Sequence, residues 1–218
     1  MPETYFLLAF HNHQPVGNFE NVFREAFEKC YEPFLQFLEE QPPFRVSLHY
    51  SGCLLDWLEG REKQFLKRLQ RLVRQGQVEI LGGGYYEPIL PLVPERDALR
   101  QLRYMNDYLR RRFEVEPRGF WLTERVWEQK IARLAAESGL QFTALDDTHF
   151  ALAGLAESEI RDFFITEEEG YPLYLFPIPK ILRYVIPFRE PNETLAFLQN
   201  QVSNNSHPAI VTYADDGE

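Results

Sequence analysis

The chain has 218 residues, 44% hydrophobic and 15% aromatic, with 33 acidic against 23 basic side chains and a formal net charge of −10. That length supports one sizeable core and is short for two, and the charge disfavours a polyanion such as nucleic acid while leaving a neutral polymer acceptable. Cys30 and Cys53 stand outside any metal-type spacing and read as free thiols of a reducing compartment, so a cytoplasmic protein is expected.

In chain order, the opening apolar run Thr4–Phe10 is too short to span a bilayer and has no basic segment before it. It reads as a first strand rather than a signal, and no membrane partner is expected. Phe23, Phe27, Tyr31, Phe34, Leu35 and Leu38 recur at helical spacing, with Pro33 expected to kink or restart that helix. Phe44–Tyr50 reads as a second strand. Leu54–Gln75 reads as one helix, apolar at Phe65, Leu66, Leu69, Leu72 and Val73 and basic on the other face. Gln77–Leu81 is a third strand, Glu95–Arg112 a helix, Gly119–Thr123 a strand, Lys130–Ser138 a short helix and Phe142–Leu145 a strand. Such alternation predicts a parallel sheet, open or closed into a barrel. Between Thr148 and Pro191 the alternation lapses into proline-interrupted short strands and loops, an irregular or inserted region. Glu193–Gln201 reads as a helix and Ala209–Tyr213 as the last strand. No repeat or linker interrupts 1–218, which reads as a single domain.

Polar residues collect at the carboxyl ends of the strands: "HNHQP", "LHYSG", "GGGYYEP", "WLTERVWE", "LDDTHF" and "ADDGE". In parallel α/β folds these ends converge on one face, where sites are built. Each group also has a plainer meaning. His11 and His13 share a face if the strand continues, and suit a metal, a hydrogen-bonded ligand or a core equally. The three glycines of "GGGYYEP" permit close backbone approach or form an ordinary turn, and no phosphate-loop pattern accompanies them. Asp146 and Asp147 suit a helix cap as well as a site. Glu124, between Trp121 and Trp127, is either paired with Arg125 or catalytic. Together with an aspartate of the final strand end it would supply the two carboxylates that glycosidic bond cleavage needs, with indole and phenol faces for sugar rings.

The motifs "HNHQPVGNF", "RQGQVEILGGGYYEP", "WLTERVW", "LDDTHF", "LRYVIPFR" and "DDGE" occur in one order over essentially the whole chain, and in this the chain resembles glycoside hydrolase family 57, within it the 4-α-glucanotransferase group. The resemblance implies an α/β fold with a parallel TIM-like (β/α)7 barrel. The barrel is expected to be incomplete, because the family's last motif runs on beyond Glu218 and the chain then reads as a catalytic-barrel fragment. It implies retaining chemistry on an α-glucan oligosaccharide or polysaccharide without cofactor or metal, with 4-α-glucanotransferase activity ahead of α-amylase-type hydrolysis. Glu124 takes the position of the nucleophile and Asp216 that of the general acid/base. His13, Glu87 and Trp121 are expected to contact substrate, with His11, His49 and Asp146 lining the same pocket. A homo-oligomer is compatible with the sequence. Two rival readings are a metal-dependent polysaccharide deacetylase or α-mannosidase-like barrel enzyme, with ligands from His11, His13 and Asp146–Asp147, and an inactive carbohydrate-binding fragment.

Overall fold

A computed structural model of the chain describes residues 4–202 and 208–218. Its strands and helices run β1 (Thr4–Asn12), α1 (Glu20–Ala26), α2 (Glu32–Glu40), β2 (Val46–Tyr50), α3 (Gly52–Arg61), α4 (Lys63–Arg74), β3 (Val78–Ile80), β4 (Gly82–Gly83), α5 (Glu95–Phe113), β5 (Phe120–Trp121), α6 (Lys130–Glu137), β6 (Phe142–Asp146), α7 (Asp147–Leu152), β7 (Phe164–Glu168), β8 (Tyr171–Ile178), α8 (Lys180–Val185), α9 (Pro191–Val202) and β9 (Ala209–Asp216). Strands β3-β2-β1-β9 form an all-parallel sheet, β4 and β5 pair in parallel, and β8 lies between β6, parallel to it, and β7, antiparallel. Gly119 and Phe142 make an isolated parallel bridge, and Leu81 N donates to Leu48 O at 2.9 Å, so the three sheets follow one another round the molecule. β8 packs against β9, but no ladder joins them among the described residues. The α/β fold with parallel strands is present, and the ladders among the described residues do not close into a ring.

Apolar periodicity accounts for most of the packing. On α4, Phe65, Leu66, Leu69, Leu72 and Val73 are buried, and they meet the helix-facing sides of β2 and β3 and the α1–α2 arm in one core. A second core gathers Leu102 of α5 and the buried face of α6 against Phe120, Leu145, Leu173 and Leu175. A third lies under α8 and α9, where Leu182 meets Val211 and Tyr213. Burying one such leucine contributes roughly 1.5–3 kcal/mol. Among the described residues no helix is long and apolar enough to cross a membrane.

Pro33 falls where the helix restarts: it sits in the first turn of α2, where its missing N–H is tolerated, and a π-helical turn over Phe27–Tyr31 joins α1 to α2. Three other local features depart from the pattern read in sequence. The single helix expected over Leu54–Gln75 is two, because Glu62 leaves helical geometry at φ −127° and ψ 50° while its carboxylate takes Arg24 Nη1 at 2.5 Å. Within 148–191 lies β8, eight residues long and a full parallel partner of β6. The last strand continues past Tyr213 to Asp216, so the two aspartates stand on a strand and not in a loop.

Candidate active site

Parallel register brings the polar strand ends together. His11 on β1 lies opposite His49 on β2 and, on its other side, opposite Asp216 on β9. Alternation along β9 puts Asp216 on the same face as Ala214, which packs with Trp121 inside the strands. A cavity of about 530 Å³ opens at this end, lined by residues that include His11, His13, Glu87, Trp121, Glu124 and Asp216. A second cleft of about 660 Å³, with Asp146, Tyr184, Phe188 and Asp215 in its wall, shares Arg183 and Asp216 with the first. Asp216 stands at the seam between them.

On one side of the cavity three imidazoles surround one carboxylate. Glu87, only 4% exposed, has Oε1 at 3.4 Å from His11 Nε2 and 3.7 Å from His49 Nδ1, and its Oε2 is in close contact with His13 Nδ1. His11 and His49 share a hydrogen bond between their Nδ1 atoms at 2.9 Å. We assign the donor to His49, which leaves His11 Nε2 as the N–H that faces Glu87. Trp121 stacks on His11 with ring centroids 4.5 Å apart and planes at 3°. Burial holds His11 neutral, its pKa lowered to about 3, with the His13 and Arg125 charges adding to the effect; burial holds His49 far below its ordinary value too. His13 is lowered less, because Asp216 and Glu124 oppose its desolvation. Gly83 serves this packing: a Cβ there would stand 2.7 Å from His49 Nε2 and 3.2 Å from Trp121 O.

Glu124 and Asp216 line the same cavity, Asp216 from the strand next to that of His11. Glu124 leaves β5 in a short 3-10 turn with φ 54°, Arg125 follows at φ 50°, and Glu87 has φ 51°. Left-handed backbone at non-glycine residues is uncommon and costs about 1–3 kcal/mol each; here three such residues border one cavity. Arg125 does not pair with Glu124 but reaches Asp215, Nη2 to Oδ1 at 3.3 Å, and Asp146, Nε to Oδ1 at 3.7 Å. The pKa of Asp216 is raised, first by burial and then by the Asp215 charge, with Arg125 and Arg183 acting against both.

The chain end is tied into the site. Tyr31 donates its hydroxyl to Glu218 Oε2 at 2.5 Å, His13 N donates to Glu218 Oε1 at 3.1 Å, and Gly217 N donates to His11 O at 2.8 Å. Burial pushes the Glu218 carboxyl up to about 6 against the lowering effect of those bonds. A side chain at Gly217 would meet Asn12 Oδ1 at 2.6 Å.

Of the residues singled out in sequence, His11, His13, Glu87, Trp121, Glu124 and Asp216 share one cavity wall. His49 is buried behind them, and Asp146 lines the second cleft instead. Asp146 does occupy the cap position of α7 but makes no side-chain cap bond; Asp147 Oδ2 accepts from Lys180 N at 2.9 Å. Among the described residues the donor set that could hold a divalent cation is His11, His13 and Glu87, not the histidines with Asp146–Asp147. Sequence reasoning passed over Tyr31, which looked like one more apolar helix position, and Arg183, whose signal was a lone cation among Ile181, Leu182, Val185 and Ile186. It also passed over the exposed rings of Tyr86, Tyr184 and Phe188 beside the two clefts.

Parallel strands whose carboxyl ends gather paired carboxylates, imidazoles and aromatic rings round a cleft define an α/β protein with an enzyme-type site. The family model of glycosyl hydrolase family 57 matches residues 7–218, and the chain belongs to that family. It is 42% identical over 218 residues to an alpha-amylase of Pyrococcus horikoshii, covering 100% of this chain and 34% of the relative. It is 40% identical to the 4-alpha-glucanotransferase of Thermococcus litoralis, again over 100% of this chain and 33% of the relative. The crystal structure of that transferase superposes with a TM-score of 0.95 over 100% of this chain and 34% of its own. The branching enzyme of Pyrococcus horikoshii, at 14% identity and a TM-score of 0.76 over 98% of this chain and 63% of its own, shares the fold. The chain therefore spans about a third of the length of the curated relatives it matches.

Proposed function

We propose that this chain carries the catalytic site of a retaining enzyme acting on α-1,4-glucans, with Glu124 as nucleophile and Asp216 as general acid/base, transferring glucan chains in preference to hydrolysing them. The observation that carries the reading is that Glu124 and Asp216 line the same cavity from different strand ends, in a chain of this family. Glu124 would attack the anomeric carbon and expel the leaving chain, whose glycosidic oxygen takes the proton of Asp216. Asp216 would then deprotonate the acceptor hydroxyl that attacks the glycosyl ester and frees Glu124. That double displacement needs the two carboxyls about 5–5.5 Å apart. A raised pKa at Asp216 suits a group that starts protonated. Glu87, whose Oε1 is buried without a hydrogen bond, and the neutral imidazole of His13 offer acceptors for sugar hydroxyls, while His11 Nε2 carries its proton toward Glu87. The succession β1, β2, β3–β4, β5, β6, β8 and β9 supports a seven-position barrel as the setting, and the free Cys30 and Cys53 support a cytoplasmic one.

The test is Glu124→Gln assayed with maltooligosaccharides. Glucan disproportionation and glucose release should both fall by at least about a thousandfold, and the wild type should give products of retained α configuration by NMR. Near-normal turnover in the variant, or inverted product, would overturn the assignment. One observation favours a second reading: the His11–His13–Glu87 set has the donor chemistry of a zinc site. In our reading these residues bind hydroxyls, so dialysis against a chelator should leave glucan turnover unchanged. Stoichiometric zinc lost together with activity would favour the metal-dependent alternative.

A further inference from the structure

We propose that Arg125, Asp215, Arg183 and Asp146 form an ionic brace that fixes Glu124 and Asp216 in position relative to one another. The inference rests on the assignment of those two carboxylates made above. Each of them is the chain neighbour of a brace member. Glu124 and Arg125 are consecutive left-handed residues, so one peptide unit of unusual conformation orients both side chains. Asp215 and Asp216 end β9.

No ladder joins β5 to β9 among the described residues; Trp121 packs on Ala214, and the polar tie between the two strand ends runs through Arg125. Arg125 Nη2 donates to Ala214 O at 3.0 Å and to Asp215 Oδ1 at 3.3 Å. Arg183 Nε, from α8, donates to the other oxygen, Asp215 Oδ2, at 2.9 Å. Asp146 Oδ1, at the end of β6, lies 3.7 Å from Arg125 Nε and 3.9 Å from Arg183 Nη1. Two cations and two anions thus balance across four elements. The Arg125 side chain is 11% exposed and that of Asp215 15%, and the guanidinium lies 5.1 Å from the Trp121 ring centroid. Partly buried pairs of this kind add little net stability but specify geometry. A retaining pair needs that specification, because a 1 Å displacement of a reacting group costs about a hundredfold in rate. Asp215 and Arg125 are accordingly positioning residues; neither is assigned contact with substrate.

The brace also sets the charge around Asp216. That carboxyl is faced by Arg125 and Glu124 from the turn after β5, by Arg183 from α8 and by His13 from β1. From its own segment it is faced by Tyr213, Asp215 and Glu218. Removing an anion and removing a cation of the brace should therefore move its titration in opposite directions, which a merely structural role would not do.

The experiment compares Asp215→Asn, Arg183→Gln, Arg125→Gln and Arg125→Lys. The Asp216 titration is followed by carboxyl 13C NMR, a readout independent of turnover, and kcat and KM are measured on maltooligosaccharides. The Asp216 midpoint should fall by about 1 pH unit in Asp215→Asn and rise by a similar amount in Arg183→Gln. In Arg125→Gln kcat should fall about a hundredfold with a smaller change in KM, and Arg125→Lys should recover part of the loss, keeping the charge without the fork. If Arg125→Gln does not fold, the two other neutral variants carry the test. Titrations that stay put, or that shift the same way in both, overturn the brace. An active Glu124→Gln alongside opposed shifts would sink the nucleophile assignment and leave the charge coupling standing, whereas an inactive Glu124→Gln with unmoved titrations would sink the brace alone.

Discussion

Glu87 is the residue on which the imidazole side of the site depends. It is nearly sealed from solvent and left-handed in backbone, and it has His11, His13 and His49 around its two oxygens. A carboxylate accepts hydrogen bonds at both oxygens, whereas an amide offers one acceptor and two donors. Glu87→Gln therefore keeps the shape and loses the acceptor that faces His11 and the cavity. Hydrogen bonds to charged groups are worth about 1.5–3 kcal/mol, so kcat/KM on maltooligosaccharides should drop roughly ten- to a hundredfold. An unchanged kcat/KM would show that Glu87 is a packing residue. The strained backbone makes a second point: Glu87, Glu124 and Arg125 are all polar residues in conformations where glycine or asparagine would sit more easily. Residues held in that state cluster at functional sites. Nothing in the one-dimensional pattern announces a positive φ, so this mark of the site appears only once the chain is folded.

The π-helical turn between α1 and α2 shows how an element serves the site. It ends at Tyr31, whose ring is buried and whose hydroxyl accepts from Gln14 Nε2 at 3.2 Å and donates to Glu218. Wider turns of this kind are often placed where a side chain must be aimed. Tyr31→Phe keeps the ring in the core and removes the one donor. The Glu218 carboxyl should then titrate higher than about 6, since the tyrosine bond lowers it, and kcat/KM should fall by about three- to tenfold. A Glu218 midpoint that stays put in the variant, read by NMR, would refute the link. The same elements show what could be read beforehand. The apolar face of α4 and the strand-helix alternation up to β6 follow from periodicity, and the strand-end polar groups follow from the alternation. The break at Glu62 does not, because its carboxylate is taken by Arg24 from a distant helix. Nor does β8: "YPLYLFPI" carries two prolines and looks broken, yet it pairs along β6. The brace was invisible for the same reason. Arg125 sits beside Glu124 in sequence, and its true partners come from β6 and β9.

At the scale of the whole molecule, the site makes stability depend on pH in a direction that can be worked out. His11 titrates near 3 in the fold and His49 well below its ordinary value, both through burial, against 6.5 when unfolded. As pH falls through 6.5 the unfolded chain takes up protons at these positions and the folded one does not, so acidification favours unfolding. Glu218 works the other way: its folded pKa of about 6 lies above its unfolded 4.5, so between those values the folded state binds the proton first and gains stability. Asp216, raised above its ordinary 3.8 by burial, acts in the same sense. Two buried imidazoles, with a discounted share from the half-exposed His13, oppose one carboxylate between pH 6 and 4.5. Tm measured by circular dichroism should accordingly be flat from neutral down to about 6.5, decline gently to about 4.5 and decline more steeply below that, where the Glu218 offset is exhausted and Asp216 alone still opposes the imidazoles. Glu218→Gln should remove the offset and steepen the decline in the upper window alone. A Tm that rises as the wild type is acidified from 6.5 to 5 would mean that the imidazoles are charged in the fold. In that case Glu87 would be paired with histidinium, and the imidazole acceptor assigned here to sugar hydroxyls would be a donor.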